Sequence, residues 1–133
     1  MKLDRNAHSV FLLMYHLVLV VKYRKKVIDI EVSTRAREIF ERIQSKYNIL
    51  LEEWNHDEDH IHALFRAHPK TPISKFLNCY KSASSRLLKQ EFPSIKQKLW
   101  KEYFWSQSFC LLTAGRASIE TIRKYIEMQG EKV

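Results

Sequence analysis

Glycine, proline and cysteine are all scarce in this 133-residue chain, which has two, three and two residues of these types. The scarcity of glycine and proline leaves no flexible linker, and the sequence contains no internal repeat or low-complexity tract. A chain of this length is typical of one domain with its own hydrophobic core. We therefore expect a single domain over residues 1–133.

Long apolar runs are also absent, which bears on where the protein works. The run from Leu17 to Val21 is far shorter than the ~20 residues that span a bilayer. Residues 1–9 lack the apolar stretch of a signal peptide. Cys79 and Cys110 have no CxxC spacing, so we interpret both as reduced packing residues. These features predict a cytoplasmic protein with no membrane partner.

Acidic residues are outnumbered by basic ones, 15 against 23, which gives a net charge of +8 and a pI near 9.6. An excess of this size favours a polyanionic partner, and nucleic acid is the partner we expect. The alternative is a basic protein whose charge is simply solvated, and this alternative applies to each basic residue taken singly. The candidate phosphate contacts are Lys22, Arg24, Lys25, Lys26, Lys81, Arg86 and Lys89.

The hydrophobic pattern predicts alternating strands and helices. Strands are expected over 11–23, 49–55, 60–66 and 103–113, with a polar turn over 56–59. Helices are expected over 32–47, 73–92 and 118–129, the first capped by Ser33 or Thr34 and the last stopped at Gly130. This order predicts an α+β fold, with a ferredoxin-like or RRM-like antiparallel sheet flanked by helices and an extra C-terminal helix.

The main chemical motif is His60-Ile61-His62 on the third predicted strand. Alternation along a strand puts both imidazoles on one side, while Ile61, Ala63 and Phe65 point to the other. Core burial therefore does not account for the histidine pair. The alternative is two satisfied histidines at a strand edge without a metal.

A second pair lies on the last predicted helix, where Tyr125 and Gln129 share one face at a spacing of four residues. On a helical wheel, Ile119, Ile122 and Ile126 form the buried stripe, and the tyrosine and glutamine lie on its flank. The alternative is a tyrosine that only packs in the core. A position at the border of the core favours a role in lining a site.

These residue types suit the cleavage and rejoining of a phosphodiester. Neutral ligands at His60, His62 and Gln129 would leave a divalent metal, Mg²⁺ or Mn²⁺, its full charge beside the scissile phosphate. Attack by the Tyr125 hydroxyl would conserve the bond energy in a phosphotyrosine ester. The sequence shows no dedicated general base for the phenol.

The chain resembles the single-tyrosine HUH transposases of the insertion-sequence 200/605 type. The resemblance is carried by the following motifs: Tyr15-His16-Leu17, Lys22-Tyr23-Arg24, Asp59-His60-Ile61-His62, Lys81-Ser82-Ala83-Ser84, Leu99-Trp100, Trp105-x-x-Ser108-Phe109-Cys110 and Tyr125-x-x-x-Gln129. It implies metal ligands at His60, His62 and Gln129, and a nucleophile at Tyr125 that forms a 5′-phosphotyrosine with single-stranded DNA.

The same resemblance implies recognition of hairpins near the ends of an insertion sequence. It also implies a homodimer in which the C-terminal helix of one subunit brings its tyrosine to the partner's histidines, with Gly115 as the hinge. The chain departs from the histidine-triad hydrolases, because Leu64 stands where their third histidine would be.

Two other functions remain open at this point. One is a domesticated or replication-type nickase that uses the same histidines and tyrosine. The other is a non-catalytic single-stranded DNA or RNA-binding module on an RRM-like sheet. In the second case, bases would stack on aromatic residues drawn from Trp54, Trp100, Tyr103, Phe104 and Trp105.

Overall fold

The computed structural model describes residues 4–5, 10–99, 101, 103–114 and 119–131. Its main sheet has four antiparallel strands in the order β4-β5-β3-β6. They are β3 (Leu13–Val20), β4 (Leu50–Asp57), β5 (His60–Ala67) and β6 (Cys110–Thr113). Two short strands, β1 (Asp4–Arg5) and β2 (Val10–Phe11), pair separately.

Four helices accompany the sheet: α1 (Ile30–Gln44), α2 (Ile73–Glu91), α3 (Pro93–Leu99) and α4 (Ile119–Glu131). The order β3-α1-β4-β5-α2-β6 and the strand order of the sheet are those of a ferredoxin-like fold. The predicted fold class, including the extra C-terminal helix, is confirmed. Among the described residues, no helix is both long and apolar enough to cross a membrane.

The hydrophobic core lies between one face of the sheet and the helices α1 and α2. Alternate residues of β5, namely Ile61, Ala63 and Phe65, are fully buried against this core, as the alternation predicts. On β3, Val18 and Val20 lie on the opposite face and are also fully buried. Helix α4 lies against β3, so both faces of this central strand are covered.

The first predicted strand ends earlier than expected. A 3-10 turn over Lys22–Arg24 follows β3, and Tyr23 and Arg24 have positive φ angles of 59° and 52°. This left-handed region is costly for residues with a Cβ and needs support from outside the segment. The support comes from Asp59, whose backbone oxygen accepts from the Val21 N–H and whose carboxylate binds Arg24.

The predicted N-cap of the first helix is wrong. The helix begins at Ile30, and the Asp29 carboxylate accepts a hydrogen bond of 2.8 Å from the Val32 N–H. Ser33 is instead buried inside the helix, where its hydroxyl accepts from the Trp54 indole at 3.0 Å. Aspartate is as good a cap as serine, so the competing candidates could not be ranked from local sequence.

The region 103–113 is mostly not a strand. Only β6 is extended over four residues, while Trp105 forms an isolated bridge with Val21. Phe104 and Trp105 are buried, and the Trp105 indole donates to Ser84 Oγ at 2.8 Å. Packing of these rings on α2 therefore replaces strand pairing. Helix α3 was not predicted from the sequence.

The C-terminal helix was predicted over 118–129, and the structure has it from Ile119 to Glu131. Gly130 lies inside the helix and does not stop it. Ser118 and the proposed hinge Gly115 are outside the described residues.

Candidate active site

His60 and His62 lie on β5 and project from the face opposite the main core. In the antiparallel register, His60 is paired with Val20 and His62 with Val18 of β3. Both imidazoles are half-buried. The prediction that the histidines share a face is confirmed, since each alternates with a buried core residue.

The orientation of His60 is fixed by the preceding residue. Asp59 is 7% exposed, and its carboxylate accepts a hydrogen bond of 2.8 Å from His60 Nδ1 and another of 3.0 Å from Arg24 Nε. Burial alone would raise the pKa of Asp59, but the bonds from His60 and Arg24 outweigh it and lower the pKa. Asp59 is thus ionised and holds the His60 proton on Nδ1, which leaves Nε2 available to a metal.

His62 has a histidine neighbour that the sequence did not reveal as part of the site. His62 Nε2 lies 2.8 Å from His16 Nδ1, and the two rings stack with centroids 5.0 Å apart. Burial, followed by the charges of His16 and His60, lowers the pKa of His62. The imidazole is therefore neutral near pH 7, as a metal ligand must be.

Tyr125 and Gln129 come together on α4, as their spacing predicts, and Ser108 holds both. Ser108 Oγ donates to Gln129 Oε1 at 3.1 Å and lies 3.0 Å from the Tyr125 hydroxyl. A serine hydroxyl has one proton to give, so the phenol is the donor to Ser108. Burial, partly offset by the bond to Ser108, raises the pKa of Tyr125. The nucleophile candidate is therefore a protonated phenol at neutral pH.

Within one chain, the histidine pair and the Tyr125–Gln129 pair bind different partners. Val18 of β3 pairs with His62 on one side and with Cys110 of β6 on the other. Two strand spacings, about 10 Å, thus separate β5 from β6. Tyr125 and Gln129 are bound to Ser108, just before β6, and His60 and His62 are bound to Asp59 and His16.

An open cavity of about 500 Å³ lies between His60 and the side of α4 that carries Ile122 and Ile126. Ile122 and Ile126 line it together with Arg24, Lys26, Arg123 and the acidic groups of Asp57, Glu58, Asp59 and Glu127. The predicted buried stripe is therefore only half-buried at Ile122 and Ile126, while Gln129 is 8% exposed. The helical wheel predicted the wrong packing side, because α4 packs through the side that carries Tyr125 and Gln129. The Ile119 side chain lies outside the described residues.

His60 and His62 are the described residues that could hold a metal through imidazole nitrogens. Within the described part of the chain, no three His, Cys, Asp or Glu side chains converge on one metal position. An amide such as that of Gln129 lies outside those residue types. The assignment of His60, His62 and Gln129 as ligands and of Tyr125 as nucleophile stays a prediction.

The predicted phosphate contacts lie in two regions, one around the 3-10 turn after β3 and the other on α2. Arg24 is paired with Asp59, Lys22 lies over the Tyr23 ring, and Lys25 and Lys26 are exposed after the 3-10 turn. On α2, Lys81 Nζ donates to the Gln107 backbone oxygen at 2.8 Å, and burial lowers the pKa of Lys81. Arg86 and Lys89 lie farther along the same helix. Contact of these seven residues with DNA stays a prediction.

The aromatic residues offer little support for a base-stacking sheet. Trp54, Phe104 and Trp105 are half-buried or buried in packing and hydrogen bonds, and Trp100 lies outside the described residues. Tyr103 is different, with 73% of its surface exposed. A stacking surface on the sheet itself is therefore not formed by the predicted residues that the structure describes.

Sequence comparison places the chain among known transposases. A family model described as "Transposase IS200 like" matches residues 9–129. The chain is 33% identical over 132 residues to the ISDra2 transposase TnpA of Deinococcus radiodurans, covering 99% of this chain and 94% of that protein. It is 29% identical over 126 residues to the transposase for insertion sequence element IS200 of Salmonella typhimurium, covering 95% and 82%.

Structural comparison agrees. The crystal structure of a transposase from Deinococcus radiodurans superposes with a TM-score of 0.85 and 32% identity, covering 95% of this chain and 97% of that one. A REP-associated tyrosine transposase bound to a REP hairpin shares the fold, with a TM-score of 0.52, 10% identity and coverage of 96% and 69%. Because the family model spans most of the chain, this protein belongs to the IS200-like tyrosine transposases.

Proposed function

We propose that this transposase cleaves and rejoins single-stranded DNA at the ends of an insertion sequence through a covalent 5′-phosphotyrosine on Tyr125. Family membership gives the activity class. The observation that supports this chemistry is that the proposed site residues form two separate halves, each held by its own hydrogen bonds. One is His60, oriented by Asp59, beside a neutral His62; the other is Tyr125 next to Gln129 on Ser108.

The residues fit a divalent metal, Mg²⁺ or Mn²⁺. His60 would bind it through Nε2, because Nδ1 is held by Asp59, and His62 through a ring nitrogen released from His16. The Gln129 amide oxygen would be the third ligand. When bound, such a cation supplies positive charge at the scissile phosphate.

Tyr125 carries the covalent step. Its hydroxyl oxygen forms a bond to phosphorus as the bond to the 3′ oxygen breaks, which leaves a free 3′-hydroxyl and a 5′-phosphotyrosine. The phenolic proton, which is present in the Ser108-bound state, passes to water, and the leaving 3′ oxygen takes up a proton from water. Attack of a new 3′-hydroxyl on the phosphotyrosine then rejoins the DNA and frees Tyr125.

We further propose that the active enzyme is a homodimer with shared sites. Tyr125 and Gln129 are bound to Ser108, about two strand spacings from β5. Delivery of α4 to the partner subunit's histidines would unite the two halves, and Gly115, which precedes α4, is the hinge that we propose. Hairpins near the element ends would provide recognition, by analogy with the REP-associated relative, which is bound to a REP hairpin. We propose that the reaction takes place in the cytoplasm.

Replacement of Tyr125 by Phe tests the nucleophile. Wild-type protein is incubated with single-stranded DNA from the element ends and Mg²⁺ or Mn²⁺, and covalent adducts are resolved on a denaturing gel. The Tyr125→Phe protein is expected to form no adduct, because a phenyl ring has no oxygen to attack phosphorus. Tyr47→Phe is the matched control, since Tyr47 packs on Phe76 at the helical side of the sheet. An adduct formed by Tyr125→Phe would show that the nucleophile lies elsewhere.

A further inference from the structure

We infer that a groove between α2 and the segment 103–107 binds the single-stranded part of the DNA substrate, with Tyr103 stacking on a base. This "α2 groove" consists of two adjoining cavities of about 250 and 450 Å³ that share Ser82, Ser85 and Tyr103. The residues that carry the inference are Lys81, Arg86, Lys89, Lys96, Tyr103 and Gln107. The inference deepens the proposed function and rests on it for the identity of the DNA.

The charge of the α2 groove suits a phosphodiester backbone. Lys81, Arg86, Lys89 and Lys96 line it, and none of the described side chains in its lining is acidic. The cavity beside His60 differs, because Asp57, Glu58, Asp59 and Glu127 line it together with its cations. A groove whose described charged side chains are all cationic concentrates a polyanion, and each phosphate contact releases counterions.

Tyr103 is placed as a platform for a base. Its side chain is 73% exposed, whereas the next two residues, Phe104 and Trp105, are buried. The Phe104 N–H donates to Ser85 Oγ at 2.9 Å, and the Trp105 indole donates to Ser84. The backbone on one side of Tyr103 is thus anchored to α2 while its ring stays free to stack. Base stacking on such a ring needs an unpaired base, which favours a single strand over a duplex.

The α2 groove also leads to the nucleophile. Lys81 Nζ donates to the Gln107 backbone oxygen at 2.8 Å, and the following residue, Ser108, binds Tyr125 and Gln129. A DNA strand lying along the α2 groove would therefore run toward Ser108, where Tyr125 is held before α4 is delivered to the partner. This connection distinguishes the α2 groove from a basic patch remote from the chemistry.

Binding is tested without cleavage, in the Tyr125→Phe background and without metal. Affinity for a labelled single-stranded oligonucleotide from the element end, lacking the hairpin, is measured by fluorescence anisotropy. Tyr103→Ala is expected to weaken binding about tenfold, or about 1.4 kcal/mol. Tyr103→Phe keeps the ring and is expected to bind within about twofold of the parent. Thermal unfolding of both variants checks that the fold is retained.

The charges are tested by the salt dependence of the same measurement. Arg86→Gln and Lys96→Gln are each expected to reduce the slope of log K against log salt concentration by about 0.7. Lys46→Gln is the control, because Lys46 is an exposed lysine that follows α1, away from the α2 groove. Unchanged affinity in Tyr103→Ala, or equal slopes in all three lysine and arginine variants, would overturn the inference.

Two further outcomes separate the α2 groove from the proposed function. If Tyr103→Ala weakens binding to a blunt duplex hairpin as much as to the single strand, the groove binds the stem and the inference is wrong. If wild-type protein forms the covalent adduct while Tyr103→Ala binds normally, only the inference fails. If Tyr103→Ala loses single-strand binding but wild-type protein forms no adduct, the groove stands and the proposed function fails.

Discussion

At the scale of single residues, Asp59 decides which nitrogen of His60 can serve as a ligand. Its buried carboxylate accepts from His60 Nδ1 and is held in turn by Arg24, which itself has a strained backbone. Partners of this kind fix the tautomer and orientation of a metal-binding imidazole. We therefore regard Asp59 and Arg24 as positioning residues for His60.

Replacing Asp59 by Asn tests this role. The amide keeps the shape but loses the negative charge that holds the proton on Nδ1, so Mn²⁺ affinity is expected to fall about 10- to 100-fold. Isothermal titration calorimetry on the metal-free protein measures the change. Asp57→Asn is the matched control, because Asp57 lines the same cavity and is the cross-strand neighbour of His60, while the described bond of its carboxylate is to the Glu58 N–H. Equal losses in the two variants would mean that only the overall charge matters.

The histidine pair, the tyrosine and the glutamine could be selected from sequence because each pair depends on local periodicity. His60 and His62 follow strand alternation, and Tyr125 and Gln129 follow the helical repeat. His16 and Ser108 stand in motifs that carry the family resemblance, but their contacts with the site residues were found only in the structure. Their positions depend on the pairing of β3 with β5 and on the loop before β6, which no pattern within a single segment encodes.

At the scale of elements, predictions that rest on a local hydrophobic repeat were correct, and those for segments that depend on long-range contacts were not. The bounds of β5 and α2 were predicted to within one residue, because a sustained hydrophobic repeat defines both. The end of β3 and the structure of the region 103–109 were not predicted correctly. Their backbones follow long-range contacts, with Asp59 in one case and with Ser84 and Ser85 of α2 in the other.

The contact between α1 and α2 gives a prediction for the pH dependence of stability. Arg35 binds Glu91 through two hydrogen bonds of 2.8 and 3.1 Å. The bond from Arg35, assisted by its charge, lowers the pKa of Glu91 from its ordinary value of 4.5. A lowered carboxyl pKa means that the unfolded state binds more protons. The pair therefore stabilises the fold above about pH 4.5 and loses this effect as the pH falls through the folded-state pKa.

The Glu91→Gln variant is expected to unfold more easily at pH 7, by less than about 1 kcal/mol because the pair is partly exposed. At pH 3 the variant and the wild type are expected to be nearly equal. Urea denaturation at both pH values measures the difference. Glu41→Gln serves as the control, since its contact with Arg37 is longer, at 3.6 Å, and lies within one helix. A constant difference at both pH values would contradict the assignment to ionisation of Glu91.

At the scale of the whole molecule, the arrangement of α4 bears on how the two halves of the site are united. The helix contacts the body through the Tyr125 and Gln129 side, while Ile122 and Ile126 border an open cavity. Release of α4 would uncover Val18 and Val20, which are fully buried on the face of β3 that α4 covers, so a second α4 would have to take its place. Exchange of α4 between two subunits would keep this surface covered in both, and this is the reason for which we propose a shared dimer.

Mixing two inactive variants tests the shared sites. One variant carries His60→Ala and His62→Ala, the other carries Tyr125→Phe, and each alone is expected to form no adduct. In a mixed dimer, intact histidines of one subunit meet the intact Tyr125 of the other at one of the two sites. Adduct is therefore expected at about a quarter of the wild-type yield per site after random exchange of subunits in a two-fold dimer.

The position of the adduct makes this experiment decisive. If α4 acts on the partner, the DNA becomes attached to the subunit that lacks the histidines, because only that subunit retains Tyr125. Tagging one variant to change its mass identifies the labelled chain on a denaturing gel. If Tyr125 acted on its own subunit's histidines, each mixed dimer would contain two broken sites. No adduct would then form at any mixing ratio, although both single variants still fold and exchange subunits.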